Sequence, residues 1–99
     1  MKIVLLLYLE EDGPVVTKLL SDQGISAYSR LPIEGHGAGK AGGWYGDIAT
    51  HSSKMIFTIV PDDAAEALLA AVQGAPAQDA SHPIHAAQLQ LDAWVHSSH

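Results

Sequence analysis

The residues of this chain best suited to hold a ligand lie in one glycine-rich stretch, LPIEGHGAGKAGGWYGD, at positions 31–47. The stretch contains six of the nine glycines, and an ordinary turn needs far fewer. Glycine lets a backbone approach a ligand closely, and successive amides in such a loop can bind an anion. Lys40 is the only base here and is a candidate anion contact, with a plain solvated lysine as the equal alternative. We interpret the stretch as a long, mobile loop that carries function.

Two aromatic residues, Trp44 and Tyr45, lie at the tip of this loop. Such side chains anchor protein interfaces, so they are candidate partner-docking residues, with folding back onto the sheet as the alternative. The spacing G-x-G-x-x-G also occurs from Gly37 to Gly42, but further glycines follow where a dinucleotide-binding motif needs a helix. Lys40 lacks the upstream glycine and the Ser or Thr of a P-loop. Neither nucleotide-binding motif is therefore predicted.

Histidines are the second group of potential ligands, because the chain has six of them against five lysines and arginines together. His82 and His85 form a His-x-x-His pair, and positions 96–99 form another. Imidazole binds Zn, Cu and Ni, so a divalent-metal site is one hypothesis. Its candidate ligands are His36, His51, His82 and His85. Neither pair lies in a convincing helix, and two ligands do not make a site, so scattered surface histidines are the preferred interpretation.

No catalytic arrangement is evident in the sequence. The chain has no cysteine, and no serine has a histidine and a carboxylate convincingly placed for it, so we expect a protein that is not an enzyme. The formal charge of −6, with no lysine or arginine after position 54, disfavours nucleic acid as a partner. No apolar run reaches the roughly 18 residues of a membrane helix, and acids follow the first run where a signal peptide would be cleaved. We expect a cytoplasmic protein without membrane insertion.

Apolar patterning predicts the elements that position these residues. Residues 2–9, KIVLLLYL, are apolar almost without a break, which is typical of a central strand covered on both faces. Asp12 then caps a helix, Pro14 lies in its first turn, and Gly24 ends it. Residues 25–34 are predicted to form a second strand, whose pairing weakens at its proline as the glycine-rich loop begins.

The second half of the chain repeats this strand–helix plan. Residues 54–60, KMIFTIV, form a third strand, and a helix follows Pro61 and stops at Gly74. Residues 75–83 are a linker. After it, apolar residues occupy the odd positions from 87 to 95, and this period of two predicts a last strand with one face toward water.

The order β-α-β, loop, β-α-β predicts an α+β fold, a ferredoxin-like βαββαβ sandwich formed as a single domain from residues 1–99. Residues 96–99 should be a frayed tail. Both helices cover the same face of the sheet. The apolar first strand then leaves a bare patch, which predicts association with further copies of the chain.

Three features together resemble the PII-like family of trimeric signalling proteins. The loop between the second and third strands matches the family's flexible T-loop, here residues 31–53. EGHGAG, at positions 34–39, is similar to the glycine-x-glycine turn at the base of that loop. KMIFTIVPDDAAEALLAAV, at positions 54–72, resembles the family's strand–VPD–helix segment. The likeness covers nearly the whole chain.

The resemblance implies a homotrimer with ligand clefts between subunits, usually filled by adenine nucleotides such as ADP or ATP. It also implies a T-loop that changes shape when a ligand binds and then docks on, or releases, a partner enzyme or membrane transporter. The residues implied at the ligand are Gly35, His36, Gly37, Gly39 and Lys40.

Two departures from the family pattern point to a divergent branch. Classical members hold phosphates with basic residues in the loop before the last strand, whereas residues 75–83 contain no lysine or arginine. The signature at the modified tyrosine of nitrogen-regulating members is missing, since Tyr45 lies in GGWYGD. Branches associated with bicarbonate uptake, carboxysomes or metal-efflux pumps are the better comparison, which adds bicarbonate as an implied ligand. A histidine-based divalent-metal-binding module linked to metal efflux is the alternative.

Overall fold

The computed structural model describes residues 1–35 and 52–98, and within them the elements follow the predicted order. The strands are β1 (Lys2–Leu9), β2 (Ser29–Ile33), β3 (Ser53–Val60) and β4 (His85–Gln90). The helices are α1 (Gly13–Asp22) and α2 (Asp62–Gln73), and a 3-10 turn, Glu10–Asp12, joins β1 to α1. Neither helix is long and apolar enough to cross a bilayer. The predicted ferredoxin-like α+β fold is confirmed.

β1 is a central strand of an antiparallel four-stranded sheet with the order β2-β3-β1-β4. Leu5 of β1, for example, lies opposite Phe57 of β3 on one side and Ala87 of β4 on the other. β1 therefore has its backbone paired along both edges, whereas its unbroken apolar run calls for cover on both faces. β2 and β4 are edge strands, which is where a strand tolerates a proline such as Pro32.

The helices cover the face of the sheet that carries the even-numbered residues of β1. Val4, Leu6 and Tyr8 are at most 1% exposed there. They belong to one buried cluster with Val16 and Leu20 of α1, and with Ala65, Leu68 and Val72 of α2. Burying a side chain as large as leucine contributes about 1.5–3 kcal/mol, so this layer between sheet and helices is the core of the chain.

The opposite face of the sheet is apolar and partly exposed in the single chain. Cross-strand partners in an antiparallel sheet point to the same face, so Leu5 with Phe57, and Ile3 with Leu89, lie on the side away from the core. Phe57 is 39% and Leu89 50% exposed. We call this surface the open face; its partly exposed apolar residues are Ile3, Leu5, Met55, Phe57, Ile59, Ala87 and Leu89, while Leu7 on the same side is 3% exposed. The predicted bare patch is therefore present.

β2 is shorter than predicted, because the residues before it complete the end of α1. The Ile25 amide donates to the Leu20 carbonyl at 2.9 Å, and the Gly24 amide donates to the Ser21 carbonyl at 3.0 Å. These two bonds form a Schellman motif, which needs the positive φ of 72° found at Gly24. Residues 25–28 therefore precede the strand instead of opening it, and the helix stop at Gly24 is confirmed.

β4 is also shorter than predicted, because the antiparallel β1 starts at Lys2, opposite Gln90. The last bond of this ladder runs from the Leu91 amide to the Met1 carbonyl at 3.3 Å. Residues 92–98 lie past β1 and have no regular structure, although the apolar alternation of the sequence continues through Val95. Trp94 and Val95 are 61% and 90% exposed as a result.

The helix stop at Gly24 can be tested by comparison with Gly13, the glycine at the start of α1. Gly24→Ala should lower the free energy of unfolding by about 1 kcal/mol, since a Cβ disfavours positive φ. Gly13→Ala is the matched control. Gly13 has a helical φ of −50°. Apart from its chain neighbours and the backbone of its own helix, no described atom lies within 4 Å of the added Cβ, so Gly13→Ala should gain about 0.5–1 kcal/mol. Urea denaturation measures both; equal shifts in the same direction would contradict the assignment.

Candidate functional site

The glycine-rich stretch leaves and re-enters the sheet at adjacent strands. Ile33, the last residue of β2, is paired with Ser53, the first residue of β3. Both ends of the expected T-loop, residues 31–33 and 53, thus belong to strands. Gly35 is described and is buried. We call Gly35 and Ser52 the loop base, because they are the described residues on either side of positions 36–51.

Most of the ligand and docking residues expected from the sequence lie outside the described residues. These are His36, Gly37, Gly39, Lys40, Trp44, Tyr45 and His51. Of the expected ligand-binding set, only Gly35 has a place in the structure. The site can therefore be built from the elements that surround the loop base.

The 3-10 turn between β1 and α1 contacts the loop base. The Glu10 amide donates to the Ser52 carbonyl at 3.1 Å, one step beyond the Leu9–Ser53 pair of the β1–β3 ladder. The Glu10 carboxylate lies 3.9 Å from the Lys54 ammonium, and this exposed ion pair contributes little. A shallow cavity of about 420 Å³ opens here, lined by Leu9, Glu10, Glu11 and Ser52.

The same turn also holds the linker at residues 75–83, through Asp12. Asp12 occupies the N-cap position of α1, as predicted, but its side chain makes no cap hydrogen bond. Instead Asp12 is fully buried, and its Oδ1 accepts a hydrogen bond from the Gln78 amide at 2.9 Å. The Gln78 side chain adds a contact to the Glu11 carbonyl at 3.5 Å, the outer limit for a hydrogen bond. One short turn therefore joins the loop base to the linker.

The linker carries a polar turn of its own, centred on Asp79. Its Oδ1 accepts hydrogen bonds from the Ser81 amide and hydroxyl, each at 2.9 Å, and its Oδ2 lies 2.8 Å from His82 Nδ1. The Ser81 amide, then the His82 ring and the Ser81 hydroxyl, hold the pKa of the Asp79 carboxyl at about 2. The sequence analysis missed this turn. An aspartate followed two residues later by a serine is its local signal.

The described histidines do not assemble into a metal site. His82 contacts Asp79, while His85 begins β4 opposite Leu7 of β1. Among residues 1–35 and 52–98 there is no group of three histidines and carboxylates that could hold a metal ion. His36 and His51 lie outside this part of the chain, so the four-histidine hypothesis gains no support from the described pair.

A larger cleft, of about 760 Å³, lies between the end of α2, the linker and β4. Its walls are mostly apolar, with Leu69, Pro76 and Ile84 among them and His85 as the one titratable side chain in this described lining. No lysine or arginine of the described residues lines it, so the cleft offers an anion no side-chain counter-charge from them.

Comparison with known proteins identifies the fold. No family model and no curated protein sequence matches the chain. Solved structures do match. CPII from Thiomonas intermedia K12, a nitrogen regulatory PII-like protein bound to ADP, AMP and bicarbonate, is 17% identical with a TM-score of 0.60 over 95% of this chain and 94% of CPII. The apo form of CPII is 16% identical with a TM-score of 0.63, over 91% and 89% of the two chains.

A protein from Thermus thermophilus, described as a PII-like signalling protein, gives the same result. It is 19% identical with a TM-score of 0.61, over 89% of this chain and 83% of its own. At these identities the likeness is one of fold. The chain has the fold of PII-like signalling proteins, as the sequence resemblance predicted.

The Asp79 turn predicts a pH dependence. An unperturbed aspartate has a pKa of 3.8, so the turn's contribution to the free energy of unfolding is complete above pH 3.8 and is lost as the pH falls through about 2. The Ser81 amide resonance in an NMR titration should have a midpoint near pH 2, and Asp79→Asn should abolish that transition. Asp92→Asn, which changes an exposed aspartate outside the turn, is the control. A midpoint at the unperturbed value would contradict the assignment.

Proposed function

We propose that this chain is the subunit of a homotrimeric, PII-like regulatory protein of the cytoplasm. A small ligand, either an adenine nucleotide or a small anion such as bicarbonate, binds between subunits at the base of the T-loop. The ligand then sets the state of that loop, which controls a partner protein, with a membrane transporter as the first class to test. The observation that carries this proposal is the shared fold with CPII, whose structures hold ADP, AMP and bicarbonate.

The open face supports the trimer, because part of the apolar side of β4 points away from the core of its own chain. Ala86 lies on the core side, next to the buried Ile84 that precedes the strand, and Gln88 follows on that same side. Ala87 and Leu89 point to the uncovered face. A monomer would expose the apolar side of this strand. Further copies packed on the open face would bury this apolar side, which the hydrophobic effect favours.

The charges of the described residues bear on which ligand fits. The turn at the loop base and the linker contribute four acids, Glu10, Glu11, Asp12 and Asp79, and no lysine or arginine. Lys54 lies beside Glu10 at 3.9 Å. A polyphosphate clamped by side-chain cations is therefore disfavoured. A small anion, or a nucleotide held largely by glycine amides with Lys40 as its cation, suits this surface better.

Control of a partner follows from ligand-dependent loop states. A ligand favours one loop state only through its differential affinity for the two, and contact with the T-loop is one source of that difference. Gly35, His36, Gly37, Gly39 and Lys40 are the proposed contacts. Trp44 and Tyr45 would then be presented to, or withdrawn from, the partner protein. The role is regulatory and requires no catalytic group.

The trimer predicts a specific response to charge on the open face. Leu89→Glu should give monomers in sedimentation equilibrium, because it would bury a carboxylate in each subunit contact. Gln88→Glu adds the same charge at the next position, on the opposite face, and should leave three chains per particle. A monomeric wild-type protein, or trimers that survive Leu89→Glu, would contradict the proposal.

The ligand is tested by thermal shift and calorimetry with ADP, ATP, bicarbonate and Zn²⁺ in parallel. ADP or bicarbonate should raise the melting temperature by several degrees when present at about 100 times its Kd. Lys40→Ala should weaken that binding about tenfold, through loss of a charge-assisted contact. Lys18→Ala removes only an exposed lysine paired with Asp22 on α1 and serves as the control.

The metal hypothesis is an outcome of the same experiment. Stabilisation by Zn²⁺, Cu²⁺ or Ni²⁺ alone, abolished by combined substitution of His82 and His85 with alanine, would indicate a histidine-based module and contradict the ligand sensor.

A further inference from the structure

We propose that Asp12 is a positioning residue: its buried carboxylate fixes the linker, residues 75–83, relative to the loop base, so that the two segments move as one. That these segments border a ligand site rests on the proposed function. The mechanical link between them does not, because it is made of contacts present in the single chain.

Asp12 is a carboxylate buried in the interior, which requires compensating hydrogen bonds. Its side chain is 0% exposed, and burial of a carboxylate is unfavourable unless hydrogen bonds compensate. A helix-capping role would supply such bonds at the protein surface, but the side chain makes none to α1. Within the described residues Oδ1 bonds to the Gln78 amide, and Oδ2 has no partner. The bond that Asp12 makes there is thus the tether to the linker.

The turn that carries Asp12 is stiff and short. The Gly13 amide donates to the Glu10 carbonyl and closes the 3-10 turn. Pro14 follows with a fixed φ in the first turn of α1. Two residues before Asp12, the Glu10 amide donates to the Ser52 carbonyl at the loop base. A displacement at Ser52 therefore reaches Asp12 through the ordered backbone of Glu10–Asp12.

The linker is held at both ends and stiffened near its middle, so one further hydrogen bond is enough to fix it. Val72 and Ile84 anchor its two ends in the core, and Ala77 packs against the same cluster. The Asp79 turn stiffens residues 79–82 from within. Gln78 lies between these two parts, so a single bond to its amide fixes the middle of the segment. Without that bond, the linker is tied to the β1–α1 turn by the 3.5 Å side-chain contact of Gln78.

Amide hydrogen exchange of the unliganded protein tests the link directly. Asp12→Ala should accelerate exchange of the Gln78 amide at least about tenfold, the factor that corresponds to about 1.4 kcal/mol, and exchange of the Glu10 amide should also rise, because the turn loses its anchor. Asp12→Asn keeps an oxygen in the same position and should preserve both protections. Gln78→Ala leaves the backbone amide in place and is the control for its side chain.

A merely structural role predicts a different pattern. If Asp12→Ala accelerates the core amides of Leu6 and Ile56 by the same factor, or leaves the Gln78 or Glu10 amide unchanged, the proposal is overturned. If Asp12→Ala does not fold, Gln78→Pro removes the same hydrogen bond from the linker side. Faster exchange of the Glu10 amide in that variant supports the proposal, and unchanged exchange overturns it.

The consequence for the ligand is read separately. With ADP or bicarbonate as the probe, Asp12→Ala should bind at least about fivefold more weakly than wild type. Asp12→Asn should bind with nearly the wild-type affinity. Unchanged affinity in Asp12→Ala, with its linker released, would overturn the coupling. If wild type binds neither probe, the proposed function fails, and the exchange experiment still decides on Asp12.

Discussion

One strand has to be covered on both faces, and the chain's own helices cover one. β1 is apolar at both its even and odd positions, and it lies between β3 and β4 with both edges paired. The helices α1 and α2 bury Val4, Leu6 and Tyr8 on one side. On the other side the neighbours of β1 add further apolar residues, including the half-exposed Leu89. The hydrophobic effect makes this surface unfavourable in water, and this is the physical basis of the proposed assembly.

The functional arrangement follows from the end of that strand. Where β1 stops at Leu9, the chain makes one 3-10 turn, and this turn contacts the loop base through Glu10 and the linker through Asp12. Two segments that are far apart in sequence, at Ser52 and Gln78, thereby share one rigid neighbour. In the proposed sensor, this junction would let a ligand at either segment favour one arrangement of the other.

Sequence analysis predicted the features that depend on local pattern. The apolar run of β1, the helix between Pro61 and Gly74 and the α+β order all arise from periodicity and from residues next to one another, and the structure reproduces them. Gly24 was recognisable as a helix stop. The true start of β2 was not, because Ile25 could satisfy its amide either in a strand or in the Schellman motif, and the end of α1 takes it.

The remaining differences come from contacts between distant parts of the chain. Asp12 has the spacing of a helix cap, but a linker amide 66 positions away takes its carboxylate. The apolar alternation continues in the sequence after Gln90, but β4 ends there because Gln90 lies opposite Lys2, the first residue of β1. The Asp79 turn is the exception, since its Asp-x-Ser spacing is local and recognisable. Of the ligand residues implied by the family resemblance, Gly35 has a described position and the others remain proposals.

Native mass spectrometry of the unmodified protein, with and without ADP and bicarbonate, counts chains and bound ligands in one spectrum. For a homotrimeric ligand sensor we expect particles of three chains that take up as many as three ligands. Single chains that remain unliganded at millimolar concentrations of both compounds would contradict it.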